Sequence, residues 1–423
     1  MTSVVVAVVP GAAVRPPEIA AAADKYGLKP AFVPLAGALS EAEFAEYADF
    51  GSVVPHDPER PDDTVELLRK HAPEGVTTFS EAMVPLTSRI GDGLGLPFHS
   101  PETMTLLTDK WAQRRRLAEA GVDAVRSVVV TDRAQALAEI AAADEPVIVK
   151  PVRSQSSRDT FLVTQPGALP ADLAPSAERP FVVEEFLRGR ESGDLADYVS
   201  VEAVVEAGRV RTIGISGKFP QIPPFREQGA FTPAFLPPGE AEEVTRLAAE
   251  AVLALGVRRG HTHTEIKLTA DGPRIIEVNG RIGGYVAELY GRANGADLLA
   301  MGIAAACGRP VGPIPQVLAD RVEFHWFNNP PLAGGVLHRV DGVDAVRTEE
   351  GVSGYLSRVA PGTRLPPETG SHWLDMLSGR AADHAAMVTT VDRCLARLRF
   401  HFEDHEGTTR IWQAGRSGLC ATD

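Results

Sequence analysis

The side chains best suited to chemistry lie close together in residues 261–281, which read HTHTEIKLTADGPRIIEVNGR. Two apolar-rich runs, 263–268 and 274–278, flank the turn formers Thr269-Ala270-Asp271-Gly272-Pro273, the pattern of a β-hairpin. Strand side chains alternate faces, so His263, Glu265 and Lys267 share one face of the first strand, and Glu277, Asn279 and Arg281 share one of the second. With the turn centred near Asp271, Glu265 falls opposite Glu277 and His263 opposite Asn279. Directly opposed strand residues have Cβ atoms about 5 Å apart, where like charges destabilise a sheet. Two carboxylates that close share either a proton or a cation. A neighbouring Asn279 carbonyl makes three hard oxygen ligands, which suit a Mg²⁺ ion that also takes phosphate oxygens. The same stretch also offers His261, His263 and Glu265 as an H-x-H-x-E face for zinc or iron.

The elements that must hold this hairpin alternate along the chain. Residues 1–100 switch repeatedly between β-branched runs and helical patterns, which implies a small parallel sheet with covering helices. Glu81 follows a strand over 76–79, where α/β folds gather ligand contacts. No G-x-G-x-x-G follows the first strand and no G-x-x-x-x-G-K-[ST] occurs, so neither a dinucleotide fingerprint nor a P-loop is expected. Lys110 opens a helix closed by Gly121, and Lys150 ends a strand. Behind Lys150 runs a polar loop, 151–160, in which Ser154, Ser156 and Ser157 with backbone N–H groups and two arginines could cradle phosphates. Residues 181–187 form an apolar strand interrupted by Glu184 and Glu185. A hairpin over 198–214 follows, then Lys218 in a Pro- and Phe-rich loop and an amphipathic helix over 240–255. After Arg281 come Gly283-Gly284, a helical stretch and an apolar run, 296–307. A strand-rich region begins at Arg321, residues 386–400 close it as an amphipathic helix, and the polar tail 407–423 is expected to be poorly ordered at its end.

A chain of 423 residues exceeds one ordinary core, and 44% hydrophobic with 23% charged residues is the composition of a soluble globular protein. The net charge of −14 argues against nucleic acid or an anionic membrane surface as partner, while leaving room for a local basic pocket. Cys307, Cys394 and Cys420 are odd in number and widely spaced, which fits a reducing cytoplasm better than a disulfide framework. The start, MTSVVVAVVPG, reads as a buried first strand, and no apolar run reaches the roughly 20 residues of a membrane span.

Taken together, Lys110, Lys150-Pro151 with its Ser-rich loop, the run VVEEFLRGRE (182–191), Thr264-Glu265-Ile266-Lys267 and Ile276-Glu277-Val278-Asn279-Gly280-Arg281 resemble the ATP-grasp superfamily of carboxylate–amine ligases over nearly the whole chain. The likeness within it is to the L-amino-acid ligases of the bacilysin-synthetase type, carried by YVSVE (198–202), GKFPQI (217–222), Phe231-Thr232-Pro233 and THTEIK (262–267). The resemblance implies an α/β ATP-grasp fold with an N-terminal Rossmann-like pre-ATP-grasp domain over 1–109. An ATP-grasp domain over 110–318, with a lid lobe over about 124–187, and a C-terminal strand-rich α/β domain over 319–423 would follow.

It also implies roles. Lys110, Lys150, Ser154, Ser156 and Ser157 would contact ATP phosphates, and Glu184 with Glu185, Phe186 and Leu187 would form the adenine hinge. Glu191 would take the ribose hydroxyls, with Asp197 a second candidate because the segment after Glu191 looks like an insertion. Glu265, Glu277 and Asn279 would hold Mg²⁺, usually two ions, while Arg281 and Lys218 would serve catalysis. Glu81, Ala230, His263, Gly284 and Tyr285 would line the substrate site of a small-molecule acid and amine. Homodimers are common among such relatives. Three departures stand out: Ala230 where that group can carry histidine, Tyr285 where it can carry tryptophan, and a phosphate loop with Asp159 near a usual glycine. Two alternatives stand beside this reading: an ATP-grasp ligase with a non-amino-acid amine partner, which Ala230 and Tyr285 leave open, and a nucleotide-binding protein without catalysis, which the atypical loop motivates.

Overall fold

The computed structural model describes residues 3–9, 13–317 and 319–422. The β-branched strand Ser3–Val8 is buried from Val4 onward, so it must lie inside a sheet covered on both faces. It does: the parallel order is Ser52–Val53, Leu28–Val33, Ser3–Val8, Pro73–Thr78. Val5 and Ala7 pack with Ile19 and Ala22 of helix Pro16–Asp24 on one side. Val4, Val6 and Val8 pack with Leu86 and Ile90 of helix Val84–Leu94 on the other.

A second, antiparallel sheet of four strands runs in the order Ser127–Val130, Phe181–Glu185, Val147–Pro151, Phe161–Val163. Its Val130, Val147, Val149 and Val183 are buried with Ala136 and Ile140 of helix Arg133–Ala141. The opposite face carries Ile148, Lys150 and Glu184 toward the central cavity.

The largest sheet has eight strands in the order Gly272–Asn279, Gly260–Thr269, Tyr198–Glu206, Arg209–Lys218, Gly229–Thr232, Val322–Trp326, Asp375–Ala381, Val352–Ser357. Helix Pro238–Ala254 buries Val244, Leu247, Ala251 and Val252 against Ile266, Leu268, Ile275 and Val278 of the hairpin. Each of the Val, Leu and Ile side chains contributes about 1.5–3 kcal/mol when fully buried. Helix Leu298–Ala306 is buried along its whole length and joins this sheet to the first one. The fit is close, since a Cβ on Gly75 would come within 2.7 Å of the Ala306 carbonyl.

Several expectations change here. The strand-rich region after 319 does not stand apart, because three of its strands continue the eight-stranded sheet. The last helix is His384–Leu395, and Phe400 lies in strand Arg399–Glu403. The reason is a switch to period two, with Phe400 and Phe402 buried between Arg399, His401 and Glu403. The polar tail is ordered as strands Thr409–Gln413 and Cys420–Thr422, which extend a five-stranded sheet; Asp423 lies outside the described residues. Lys218 is the final residue of strand Arg209–Lys218 rather than part of a loop. Among the described residues no helix is long and apolar enough to cross a membrane.

Candidate active site

The antiparallel four-stranded sheet, the eight-stranded sheet and the segment after strand Pro73–Thr78 meet around a cavity of about 580 Å³. Its floor is set by strand register. Glu265 pairs with Glu277 on one side and Ser200 on the other, and His263 pairs with Asn279 and Glu202. The hairpin turn is tight, Thr269 opposite Gly272, so unbroken pairing would put Glu265 across from Ile276. An irregularity between Glu265 and Ile266 inserts one residue, restoring the Glu265–Glu277 pair and turning Ile275 into the core while Ile276 and Glu277 both face the cavity. Further along the sheet Lys218 pairs with Ala230, which pairs with His325, and all three line the cavity.

Cations meet these acids from every side. Asp109 caps helix Lys110–Glu119 through the Ala112 N–H at 2.9 Å and so fixes Lys110 at the helix start. Lys110 Nζ donates to Glu277 Oε1 at 2.7 Å and to the Ser154 carbonyl at 2.9 Å. Arg281 pairs with Glu81 at 2.7 Å, and the Asn279 amide, with its nitrogen turned to Glu81, donates to the same carboxylate at 2.9 and 2.6 Å. Lys218 donates to Glu227 at 2.8 Å, which also accepts from the Tyr198 hydroxyl at 3.2 Å. His263 Nδ1 meets Glu202 at 2.5 Å and its Nε2 lies 3.4 Å from Glu265.

Burial would neutralise such groups singly, and the partners decide which stay charged. Burial opposes a charge on His263, yet Glu202 and Glu265 overcome it and lift its pKa to about 9. Burial likewise pushes Glu265 up, but the hydrogen bond and charge of His263, with Lys218 and Arg281, hold it at about 2. Glu81 is raised by burial and by Glu277 against the pull of Arg281. Glu184 and Lys150 pose a conflict, since the acid is held at about 2 while its partner lysine is lowered. Sharing resolves it: Glu184 accepts two bonds from Arg114 at 2.9 Å and one from Lys150 at 2.9 Å. One anion therefore serves two buried cations, and each cation also repels the other.

Of the residues singled out from sequence, Glu81, Lys110, Lys150, Ser154, Ser156, Ser157, Glu184, Glu185, Phe186, Leu187, Lys218, Ala230, His263, Glu265, Glu277, Asn279, Arg281 and Gly284 all line this one cavity. Glu191 does not; it is exposed in an irregular connection. Asp197 does not line it either, but accepts from the lining Lys267 at 2.6 Å. A Cβ on Gly189 would sit 1.8 Å from the Asp197 carboxylate, so only glycine permits that approach. The Glu184 side chain is occupied by Arg114 and Lys150, which leaves hinge contacts to the backbone that follows it. Tyr285 is not among the lining residues; its ring contacts those of Phe327 and Trp373, which are.

Phe327 and Trp373 stack at 4.1 Å and 11°, with Arg358 placed over the Trp373 and Tyr285 rings. These three lining residues, like Arg114, Tyr198 and Glu227, were not singled out from sequence; only Arg114, one turn after Lys110, carried a positional signal. The H-x-H-x-E metal face is not formed. His261 Nε2 meets the Leu298 carbonyl at 2.6 Å and Nδ1 the Ala203 carbonyl at 3.3 Å. Among the described residues no group of three His, Cys, Asp or Glu side chains could hold a metal. Two carboxylates and an amide are an incomplete shell, fitted to a hard cation that draws its other ligands from phosphate oxygens and water.

Residues 107–285 match the model of the ATP-grasp domain. The chain is 26% identical over 283 residues to an alanine–anticapsin ligase of Bacillus subtilis (strain 168), covering 62% of this chain and 60% of that protein. It is 32% identical over 158 residues to carnosine synthase 1 of Homo sapiens, covering 34% of this chain and 18% of that one. The chain thus spans less than two thirds of the length of these relatives. The solved L-amino acid ligase from Bacillus licheniformis superposes with a TM-score of 0.76 at 20% identity, covering 95% of this chain and 99% of that one. Residues 107–285 thus match an ATP-grasp domain, and the fold of the chain is similar to that of the solved L-amino acid ligase.

Proposed function

We propose that this chain is an ATP-dependent carbon–nitrogen ligase that joins a carboxylate, an amino acid or a related acid, to an amine and releases ADP and phosphate. The observation that carries the reading is the pairing of Glu265 with Glu277, followed on the same strand by Asn279 and then by Arg281, in one cavity with Lys110, Lys150 and Lys218. The similarity to an alanine–anticapsin ligase and to a carnosine synthase supports a product of the dipeptide or amide kind. Glu265, Glu277 and Asn279 would hold Mg²⁺, two ions in the usual arrangement, which supplies charge neutralisation to the β- and γ-phosphates when bound.

A carboxylate oxygen of the acid attacks the γ-phosphorus of ATP, the bond to the bridging oxygen breaks, and ADP leaves with that electron pair. The amine, as free base, then attacks the acyl carbon and inorganic phosphate leaves. Lys110, on the helix, and Lys150, on the antiparallel four-stranded sheet, would approach the phosphates from two different elements. Arg281, released from Glu81, offers a planar donor pair to the oxyanion of the acyl-transfer step. Water must stay out or the acyl phosphate hydrolyses, which suits a site covered by the four-stranded sheet.

Purified protein with Mg²⁺ and ATP, screened pairwise against acids and amines for phosphate release and product mass, should yield an amide only when both partners are present. Background phosphate release across a broad library would favour a nucleotide-binding protein without catalysis.

A further inference from the structure

The phosphate loop is unusual in its backbone. Ser156, Ser157 and Asp159 have φ of 57°, 57° and 54°, left-handed conformations that cost free energy in residues other than glycine. Such conformations persist only where neighbours over-determine them. Here Arg179 pairs with the Asp159 carboxylate, and the other neighbours come from residues 368–373, in the connection that leads to strand Asp375–Ala381. The Asp159 N–H donates to Thr369 Oγ1 at 3.0 Å, and that hydroxyl donates to Asp159 Oδ1 at 2.9 Å. Arg158 pairs with Glu368 at 2.9 Å, and the Ser371 N–H donates to the Ser156 carbonyl at 2.8 Å. Gly370 lies so near that a Cβ would come within 2.8 Å of the Ser156 carbonyl.

The other end of the same segment reaches the opposite part of the cavity. Ser371 Oγ accepts from the Glu227 N–H at 2.8 Å, and Glu227 accepts from Lys218. The His372 N–H donates to Asn329 at 3.0 Å, and Trp373 stacks on Phe327. The segment is anchored to the eight-stranded sheet through the Leu374 N–H on the Asn328 carbonyl at 2.8 Å. One short stretch of chain therefore touches both the Ser-rich loop and the wall of the cavity formed by Lys218, Glu227 and Phe327.

We propose that residues 368–373 act as a latch, with Thr369 and Glu368 as positioning residues that couple closure of the phosphate loop to the setting of Ser371 and Trp373. The proposal rests on the ligase reading for the location of the nucleotide. When the antiparallel four-stranded sheet moves, these bonds carry the latch with it, so Trp373 reports nucleotide binding, and the coupling is reciprocal. It also accounts for the left-handed Asp159 in a loop without glycine, because Asp159 supplies the carboxylate to which Thr369 donates.

The test is a titration of the full chain with Mg²⁺ and a non-hydrolysable ATP analogue, followed by calorimetry and tryptophan emission. The Trp373 signal is read as the difference between the wild type and Trp373→Phe. Thr369→Val keeps the shape and removes both hydroxyl bonds. It should weaken analogue binding about tenfold, given about 0.5–1.5 kcal/mol per lost bond, and abolish the Trp373 signal at saturation. Thr369→Ser should restore both. If Thr369→Val is not folded by circular dichroism, Glu368→Gln is read the same way, with a smaller loss of affinity. A folded variant with wild-type affinity and a full Trp373 response would overturn the latch alone. A wild-type chain that binds no nucleotide would overturn the ligase reading, and the latch with it.

Discussion

At one end of the cavity the side chains are acids and bases locked in pairs; at the other they are stacked rings. Glu265, Glu277, Glu81 and Glu184 each meet a cation or a histidine, and they come from the hairpin of the eight-stranded sheet, the segment after strand Pro73–Thr78 and strand Phe181–Glu185. Phe327 and Trp373 at the far end come from the region after 319 and meet mainly each other, Tyr285 and Arg358. Buried charge pairs contribute little net stability, because desolvation offsets their attraction, but they are positioned for reaction. Rings contribute area and shape, which select a partner without acting on it. The difference teaches where catalysis and choice of substrate reside. The charged end should be intolerant of change in rate, and the aromatic end should be intolerant in stability and selectivity.

The largest effect tests the charged end. Arg281→Ala should lower product formation roughly a thousandfold, the scale of removing one donor to developing oxyanion charge. Circular dichroism should show a folded chain. Near-normal turnover in a folded Arg281→Ala protein would break the comparison at its root.

Next in size is an acid under the aromatic end. Asp375 is 1% exposed and accepts from the Asn328 N–H at 3.0 Å and from the Tyr355 hydroxyl at 2.6 Å. Burial outweighs those bonds and raises its pKa from 3.8 to about 6. A carboxyl raised on folding stabilises the fold below its unfolded pKa, and that contribution is lost as pH climbs through the folded value. Stability owed to Asp375 should therefore fall between pH 4 and pH 6, by about 3 kcal/mol at most. Urea unfolding across that window should show the fall in the wild type and a flatter profile in Asp375→Asn. An equally steep fall in Asp375→Asn would assign the titration elsewhere.

The charged end was readable in the sequence because its residues lie on regular elements with short turns. Period-two alternation put Glu265, Glu277 and Asn279 on shared faces, and the turn formers fixed where the hairpin folds. Even so, the Glu265–Glu277 pair depends on an extra residue at Ile276, which no propensity marked. Glu191 lies outside the cavity lining, in residues 188–197, which have no period, so nothing in the sequence indicated which way its side chain turns. The aromatic end was hidden for the same reason: Phe327 and Trp373 follow or precede strands in irregular chain, and only the tertiary fold stacks them. Tyr285, singled out in their place, backs their rings.

The smallest expected effect separates the two ends most sharply. Trp373→Ala removes the outer ring of the stack but touches neither the Glu265–Glu277 pair nor Lys110 or Lys150. The KM of one of the two joined substrates should rise about tenfold, the scale of a truncated ring contact and the area it buries, while kcat at saturation stays within a few-fold. A loss confined to KM is the mark of binding energy felt equally in the ground and transition states. Steady-state kinetics with each substrate varied in turn would identify which partner lies against the rings. A fall in kcat with KM unchanged would instead make Trp373 part of the reacting end, and the division between a charged site of reaction and an aromatic site of choice would not hold.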